Sequence, residues 1–276
     1  MKYIDFHTHT IYSDGENTPV EVVDLAKAKG LEVLAITDHD HVQGYFDAKS
    51  HAKKVGIELL PGSEITTDDY HILGLGVNPG NESFLEFLLY SRNLQSEGVY
   101  GEVEELKKVG IPISFEKVRR FSPKARLGSG NIIEALLKDP ECKEYFLKIL
   151  GGEVSRRELY KDYVKRIGKR FTGSKNVEVS DAIKEIHRAG GIAVLAHPFK
   201  DVGNMSEVDN LVELGLDGIE IQPNYGEKNI PYEKYARKKG LLITYGSDFH
   251  GKKIERPLLL RGENRFDFNK AFPVLA

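Results

Sequence analysis

The sequence predicts an α/β protein whose mainly parallel sheet is flanked by helices and interrupted once by a block of helix. Three observations carry this. Strand and helix patterns alternate over the first eighty residues, the alternation stops near Asn78-Pro79-Gly80, and it resumes at about residue 180. Residues 2–6 form a short β-type run. Thr18-Pro19-Val20-Glu21 then opens a helix: Thr18 caps it, Pro19 suits the first helical position, and Glu21 completes a capping box. Val22, Val23, Leu25, Ala26 and Ala28 give it an apolar side, and Gly30 stops it. Residues 33–37 are a compact apolar run of the kind buried on both faces. A second helix is expected over 43–55, and further strands over 57–61 and 70–77.

From 80 to about 178 the pattern is charged amphipathic helix, clearest at 102–109, 131–137 and 156–167. Beyond it, helices are expected near 180–189, 207–214 and 232–239, and strands at 192–195, 218–221 and 242–244. Charge marks the same division. Residues 80–178 carry 19 Lys+Arg against 15 Asp+Glu, net +4, and the rest of the chain is net −7. The expected organisation is a core of 1–79 and 180–276 with a helical insert at 80–179. The phenylalanines within 266–276 are expected to pack on that core.

Composition excludes several classes. The chain has 276 residues, 40% hydrophobic and 29% charged, which is globular rather than disordered. A net charge of −3 argues against binding nucleic acid by bulk charge, so no stable nucleic-acid partner is expected. A single cysteine, Cys142, excludes an intramolecular disulfide and a Cys-rich zinc site. No apolar run approaches the roughly 18–20 residues that cross a membrane, and residues 1–6 lack the apolar stretch of a signal peptide. The expectation is a soluble, cytoplasmic protein without a membrane partner. Gly44, Gly74 and Gly76 form no phosphate-binding fingerprint before a helix, so no dinucleotide site is expected.

Chemistry enters with the nine histidines. His7-Thr8-His9 follows the first strand, and positions i and i+2 of a strand share a face, so both imidazoles can reach one point. Asp14 follows in Ser13-Asp14-Gly15, His39 lies in Thr37-Asp38-His39-Asp40, and Glu64 in Gly62-Ser63-Glu64. His71 lies in the fourth strand, His197 in Ala196-His197-Pro198, and Asp248 and His250 in Gly246-Ser247-Asp248-Phe249-His250. Ligand-type residues thus recur at the carboxyl ends of strands, where parallel α/β folds build their sites. Nine ligands exceed one tetrahedral ion and suit two to three ions sharing a carboxylate. The imidazole–carboxylate mixture favours Mn, Zn or Fe over Ca or Mg. His41, His51 and His187 are read as ordinary surface residues, and Asp38 and Asp40 as partners that orient imidazoles.

In order and spacing, HTHTIYSDG, TDHD, GSEIT, HILGLGV, AHP and GSDFH resemble the PHP (polymerase and histidinol phosphatase) family. The helical block is similar to the insert of its bacterial nucleotide and RNA 5′-end phosphoesterases. The resemblance implies a distorted seven-stranded TIM-like (β/α) barrel with a trinuclear site, the insert covering it. It implies that His7, His9, Glu64 and Asp248 hold one ion, that Glu64 bridges to a second completed by His71 and His197, and that Asp14, His39 and His250 hold a third. A metal-bound hydroxide held by His7, His9, Glu64 and Asp248 would then attack phosphorus. No nucleophile elbow or Ser-His-Asp order is present, and Cys142 sits in a lysine-rich helical stretch, so covalent catalysis is not expected.

Cationic clamps for phosphate are sought in the insert, which offers Lys117, Arg119, Arg120, Lys124 and Arg126, and at Lys175, where relatives approach the site. The sequence departs from the subgroup at one element. Where relatives carry Arg-x-His, this chain has Ser129 and Asn131, with Arg126 nearby to compensate. The activity implied is metal-dependent hydrolysis of nucleotide phosphate esters, either a 3′,5′-nucleoside bisphosphate or a short 5′-phosphorylated oligonucleotide, with AMP or phosphate as product. The alternatives are a histidinol-phosphatase-like phosphomonoesterase, an amidohydrolase, and a non-catalytic nucleotide-binding module.

Overall fold

The structure, a computed structural model, describes residues 1–121, 127–168, 171, 173, 176–252, 257–258 and 264–272. The chain divides into two compact units, one of residues 1–89 and 177–276 and one of residues 90–176.

The first unit is built on one sheet. Its strands are β1 (Lys2–Asp5), β2 (Val33–Ile36), β3 (Glu58–Thr66), β4 (His71–Leu75), β5 (Ile192–Leu195), β6 (Gly218–Ile221), β7 (Leu242–Tyr245) and β8 (Arg265–Phe266). Strands β1 to β7 lie side by side in chain order, and β8 adds to the outer edge of β1. Backbone bonds also join the ends of β1 and β7: the amide of Phe6 donates to the carbonyl of Tyr245 at 2.9 Å, and that of Asp248 to His7 at 2.9 Å. The sheet therefore curls into a nearly closed barrel, the distorted seven-stranded form expected, with an eighth strand added.

One expectation needs correction. β1, β2 and β3 run parallel, as do β5, β6 and β7, but β4 is antiparallel to both of its neighbours. The reason is local. Only residues 67–70 separate β3 from β4, and a parallel return needs a crossover of a dozen or more residues. Thr67 closes this turn, its hydroxyl donating to the carbonyl of Tyr70 at 2.7 Å and its amide to the same oxygen at 3.0 Å. His71 thus starts its strand instead of ending it. The reversal nonetheless carries it to the barrel end where β3 and β5 finish. β3 also runs on to Thr66, which places Glu64 inside the strand and not after it.

The flanking helices follow their caps. Pro19–Ala28 begins at Thr18, whose hydroxyl accepts from the amide of Glu21 while the Glu21 carboxylate accepts from the amide of Thr18. Gln43–Val55 ends where Gly56 turns left-handed at φ 75°, a conformation that costs a side chain energy and glycine little. Together these helices bury Val22, Val23, Ala26, Ala48 and Ala52 against Leu34 and Ile36 of β2. At the β1 edge, Phe266, Phe268 and Phe272 set their rings around Phe6 at centroid distances of 5.2, 6.4 and 6.1 Å in edge-to-face contacts. The C-terminal aromatic segment accordingly seals the barrel flank next to the first histidine pair.

The second unit is helical. Glu82–Lys108 is one unbroken helix of 27 residues that crosses the division at residue 89. Phe115–Phe121, Ser129–Lys138, Pro140–Leu150 and a run over 156–168 follow; Leu159–Lys165 in that run is π-helical. Val103, Leu106, Ile132, Leu136, Phe146 and Leu159 form its separate core. Cys142 is part of that core, its Sγ 3.2 Å from the carbonyl of Pro112, and burial pushes its thiol up to about 12. No described helix is long and apolar enough to cross a membrane.

Two outcomes are expected. Phe268→Ala removes a fully buried ring and should lower stability by about 3–5 kcal/mol in urea unfolding, whereas an unchanged midpoint would mean the aromatic latch contributes nothing. Cys142 should resist a thiol-specific reagent at neutral pH in the folded protein and react with one equivalent after unfolding, because it is the thiolate that reacts.

Candidate metal centre

The nine ligand-type residues read from the sequence all belong to the first unit, and the structure brings them to one end of its barrel. At the centre is Glu64, 1% exposed. Its Oε2 lies 3.1 Å from Nε2 of His7, 3.1 Å from Nε2 of His9 and 3.3 Å from Nδ1 of His39. Its Oε1 lies 2.9 Å from Nδ1 of His71 and 3.0 Å from Nε2 of His197. Five imidazoles from four separate chain segments therefore converge on one buried carboxylate. Asp248 faces the same point, its Oδ1 3.5 Å from Nε2 of His7 and of His9. Asp14 Oδ1 lies 3.2 Å from Nε2 of His250, and Asp14 Oδ2 3.9 Å from Nε2 of His39.

Three sets of atoms lie close enough together to hold an ion: His7, His9, Glu64 and Asp248; His9, Asp14, His39 and His250; and His39, Glu64 and His71. The first is the set the family resemblance implies, and the second is another such set joined by His9. In the third, His39 takes the position that the resemblance gives to His197, although His197 still touches Glu64. Asp14 and His71 have side chains 49% and 30% exposed, while those of His7, His9, Glu64 and Asp248 are almost wholly buried. The second and third sets are thus the ones solvent reaches.

Hydrogen bonding decides what this cradle needs. His7 Nδ1 faces the Glu220 carboxylate at 2.8 Å, which accepts its proton and leaves Nε2 bare. Ser13 donates its hydroxyl proton to Asp38 at 2.7 Å, so the Ser13 oxygen accepts from His9 Nδ1 at 3.2 Å and again leaves Nε2 bare. His250 Nδ1 donates to the carbonyl of Asp248 at 2.8 Å, freeing Nε2 toward Asp14. The bare nitrogens of His7 and His9 lie 3.1 Å apart, and the line between them holds one proton at most. Glu64 Oε2 is buried beside them with no hydrogen-bond partner among the described residues. Lone pairs aimed at lone pairs around an orphaned carboxylate oxygen are what a divalent cation satisfies.

The proton equilibria express the same demand. Burial works against a charged His7, yet Glu220, Glu64 and Asp248 hold it well above its usual value. His9 and His197, also opposed by burial, are pushed up to about 9 by the nearby carboxylates, Asp248 and Glu64 for His9 and Asp201 and Glu64 for His197. Burial would raise Glu64, Asp248 and Asp14, but the surrounding imidazoles keep all three well below the usual carboxylate range. Asp38 differs. Burial pushes it up despite His9 and the donors Ser13 and Thr10 that pull it down.

Backbone strain gathers at the same place. The described non-glycine residues with positive φ are Asp40 (52°), His197 (29°) and Asp248 (56°). Two are candidate ligands, and the third has its carboxylate 3.3 Å from the amide of Thr66, whose hydroxyl meets Nδ1 of His39 at 3.2 Å. Asp38 and Asp40 thus reach imidazoles through Ser13 and Thr66.

Several site residues went unread in the sequence. Glu220 orients His7 and also accepts from the amide of His197 at 2.7 Å. The signal was an acidic residue inside the apolar strand Gly218–Ile221, buried on both sides. Ser13 and Asp201 join it, Asp201 lying 2.8 Å from His197 Nδ1. Lys200 reaches Asp248 Oδ2 at 2.6 Å.

Several of the remaining expected positions, where described, have partners within their own units. Lys117 is bound within its own unit by Asp139 at 2.9 Å, Glu141 at 2.6 Å and the carbonyl of Pro112 at 2.7 Å, which occupies its three donors. Asn131 caps its helix by accepting from the amide of Gly128 at 2.7 Å, and Ser129 meets Glu102 at 3.3 Å. Arg119 lies over the Phe115 ring. Lys124, Arg126 and Lys175 lie outside the described residues. His51 and His187 pair with Asp24 and Asp217 away from the cluster, and His41 stacks on Tyr12.

A buried carboxylate shared by imidazoles at the mouth of an α/β barrel defines a metal-dependent hydrolase. Comparison with known proteins narrows the class. The model of the PHP domain family matches residues 5–182, and the chain belongs to that family. It is 30% identical over 260 residues to a 5′-3′ exoribonuclease of Haemophilus influenzae, covering 90% of each chain. It is 28% identical over 262 residues to a 3′,5′-nucleoside bisphosphate phosphatase of Chromobacterium violaceum, covering 91% of this chain and 88% of that one. The fold superposes with a TM-score of 0.77 on the crystal structure of a protein of Bifidobacterium adolescentis taken to be a metal-dependent phosphoesterase. That pair is 27% identical and covers 98% of this chain and 95% of the other.

The packing at Gly246 supplies a test. A Cβ there would run into the Glu220 carboxylate and come within 2.5 Å of His7 Cβ. Gly246→Ala should therefore lower bound metal and cost about 1–3 kcal/mol by overpacking. Gly152→Ala, where nothing lies within 4 Å, should change neither. Metal analysis and urea unfolding of both variants would show equal behaviour if the His7–Glu220 contact were unimportant.

Proposed function

We propose that this protein hydrolyses phosphate esters of nucleotides, with about two to three divalent ions of Mn, Zn or Fe held by His7, His9, Asp14, His39, Glu64, His71, His197, Asp248 and His250. The observation that carries the reading is the orphaned Oε2 of buried Glu64 among imidazole nitrogens. Bound ions would supply Lewis acidity toward phosphoryl oxygens and an activated water. The chain's own residues do the rest. Glu220, Ser13 and the carbonyl of Asp248 fix the tautomers of His7, His9 and His250, so that each presents its Nε2 to the centre. Asp38 accepts from the amide and hydroxyl of Thr10 at 2.7 Å each and locks the loop that carries His9 and Asp14. The half-exposed Asp14 and His71 leave an open flank by which a phosphoryl group can enter.

The substrate class follows from the relatives, which act on RNA ends and on nucleoside bisphosphates by name. We infer a 3′,5′-nucleoside bisphosphate or a short 5′-phosphorylated oligonucleotide, with AMP or phosphate among the products. Arg126 and Lys175, which the sequence offers in place of an Arg-x-His element, are the candidate groups to grip its remaining phosphates. A covalent route through cysteine is disfavoured, because Cys142 lies buried in the core of the second unit.

The test is release of phosphate from adenosine 3′,5′-bisphosphate by manganese-loaded protein. Release that a chelator abolishes and manganese restores is the expected result. Chelator-insensitive release would contradict a metal-dependent reaction. No release from this substrate, with release from histidinol phosphate, would move the protein to the other phosphatase activity.

A further inference from the structure

We propose that Lys200 is a phosphate-binding residue of the metal centre, holding a non-bridging oxygen of the substrate beside Asp248. The inference rests on the phosphoesterase reading above and deepens it, because it assigns a cation from the barrel itself to the substrate. Lys200 lies in the short helix Pro198–Asp201 that begins directly after the candidate ligand His197. Its ammonium reaches back to a second candidate ligand, meeting Asp248 Oδ2 at 2.6 Å. The two oxygens of Asp248 thereby divide their work. Oδ1 faces the imidazoles of His7, His9 and His250 at 3.4–3.5 Å, and Oδ2 faces Lys200.

A lysine ammonium carries three donors, and this contact uses one. Among the described residues Lys200 has no other acceptor. Its side chain is 26% exposed, so the two remaining N–H groups can reach a ligand. The stem is also positioned. Nζ lies 5.8 Å over the Phe199 ring, and that ring packs against Tyr225 at a centroid distance of 4.3 Å. A cation held against the edge of a metal cradle, with spare donors, matches the need of phosphoryl transfer for positive charge on oxygens that ions alone do not cover.

The competing role is structural: Lys200 would hold Asp248 in place and touch nothing else. The two roles separate by experiment. Inorganic phosphate is titrated calorimetrically into manganese-loaded wild type, Lys200→Met, Lys200→Gln and Lys200→Arg, and bound manganese is counted in each. The proposal expects unchanged metal content throughout, phosphate binding weakened about 10- to 100-fold in Lys200→Met and Lys200→Gln, and affinity largely kept in Lys200→Arg. Unchanged phosphate affinity in the neutral variants would overturn it. So would weaker phosphate binding that comes with lost manganese, because Lys200 would then act on Asp248. If wild type releases phosphate from nucleotides while the neutral variants bind phosphate normally, only this inference fails. If manganese-loaded wild type neither binds phosphate nor hydrolyses any phosphoester, the reading beneath it fails as well.

Discussion

A carboxylate buried under five imidazoles persists only where cations offset its charge, and Glu64 imposes that condition on the whole barrel end. Removing a charged group from water costs several kcal/mol after relaxation, and an unpaired one costs more than most single contacts return. The cations can be protons on the histidines or divalent ions between them. The raised imidazoles and depressed carboxylates describe the first state. The 3.1 Å separation of the His7 and His9 nitrogens favours the second, since two protonated nitrogens cannot face each other there. The site is therefore built for metal.

The distortion of the barrel follows from the same demand. In a regular barrel every strand delivers its C-terminal residue to the active end, and each delivery is followed by a helical crossover. The four-residue turn after β3 forgoes one crossover, reverses β4 and presents His71 at the start of a strand, beside Glu64 on the strand before. His71 and Glu64 meet at 2.9 Å because β3 and β4 are hairpin partners, with Thr66 opposite His71 in the register. Positive φ at His197 and Asp248 is a second distortion of the same kind, in which the backbone bends to aim a ligand. Glu220 supports both sides, since one carboxylate orients the His7 ring and the other end of it holds the amide of His197.

Much of this was legible in the sequence, for identifiable reasons. The ligands sit in short motifs next to strands whose apolar runs are unmistakable, so His7, His9, His39, His197 and His250 could be placed at one barrel end before any contact was known. The helix over Gln43–Val55 was readable from its period and the glycine after it. The direction of β4 was not, although the four-residue spacing between Thr66 and His71 contained it. Glu220 was passed over because a single acidic residue in an apolar strand carries no period; only its burial against His7 reveals its work. Lys200 likewise follows a motif without belonging to it. The extent of the helix Glu82–Lys108 was underestimated because Asn93, Ser96 and Gly98 dilute its pattern, while packing sustains it.

Counting bound metal in wild type and Glu64→Gln tests the central claim most directly. Both proteins are loaded with manganese at neutral pH, freed of excess ion by gel filtration and analysed by mass spectrometry for metal per chain. If Glu64 is the shared ligand around which the cluster is organised, wild type should hold about two to three ions, and Glu64→Gln should remain folded with at most one. Equal metal content in the two proteins would contradict the account, because the carboxylate at the centre would then bind nothing.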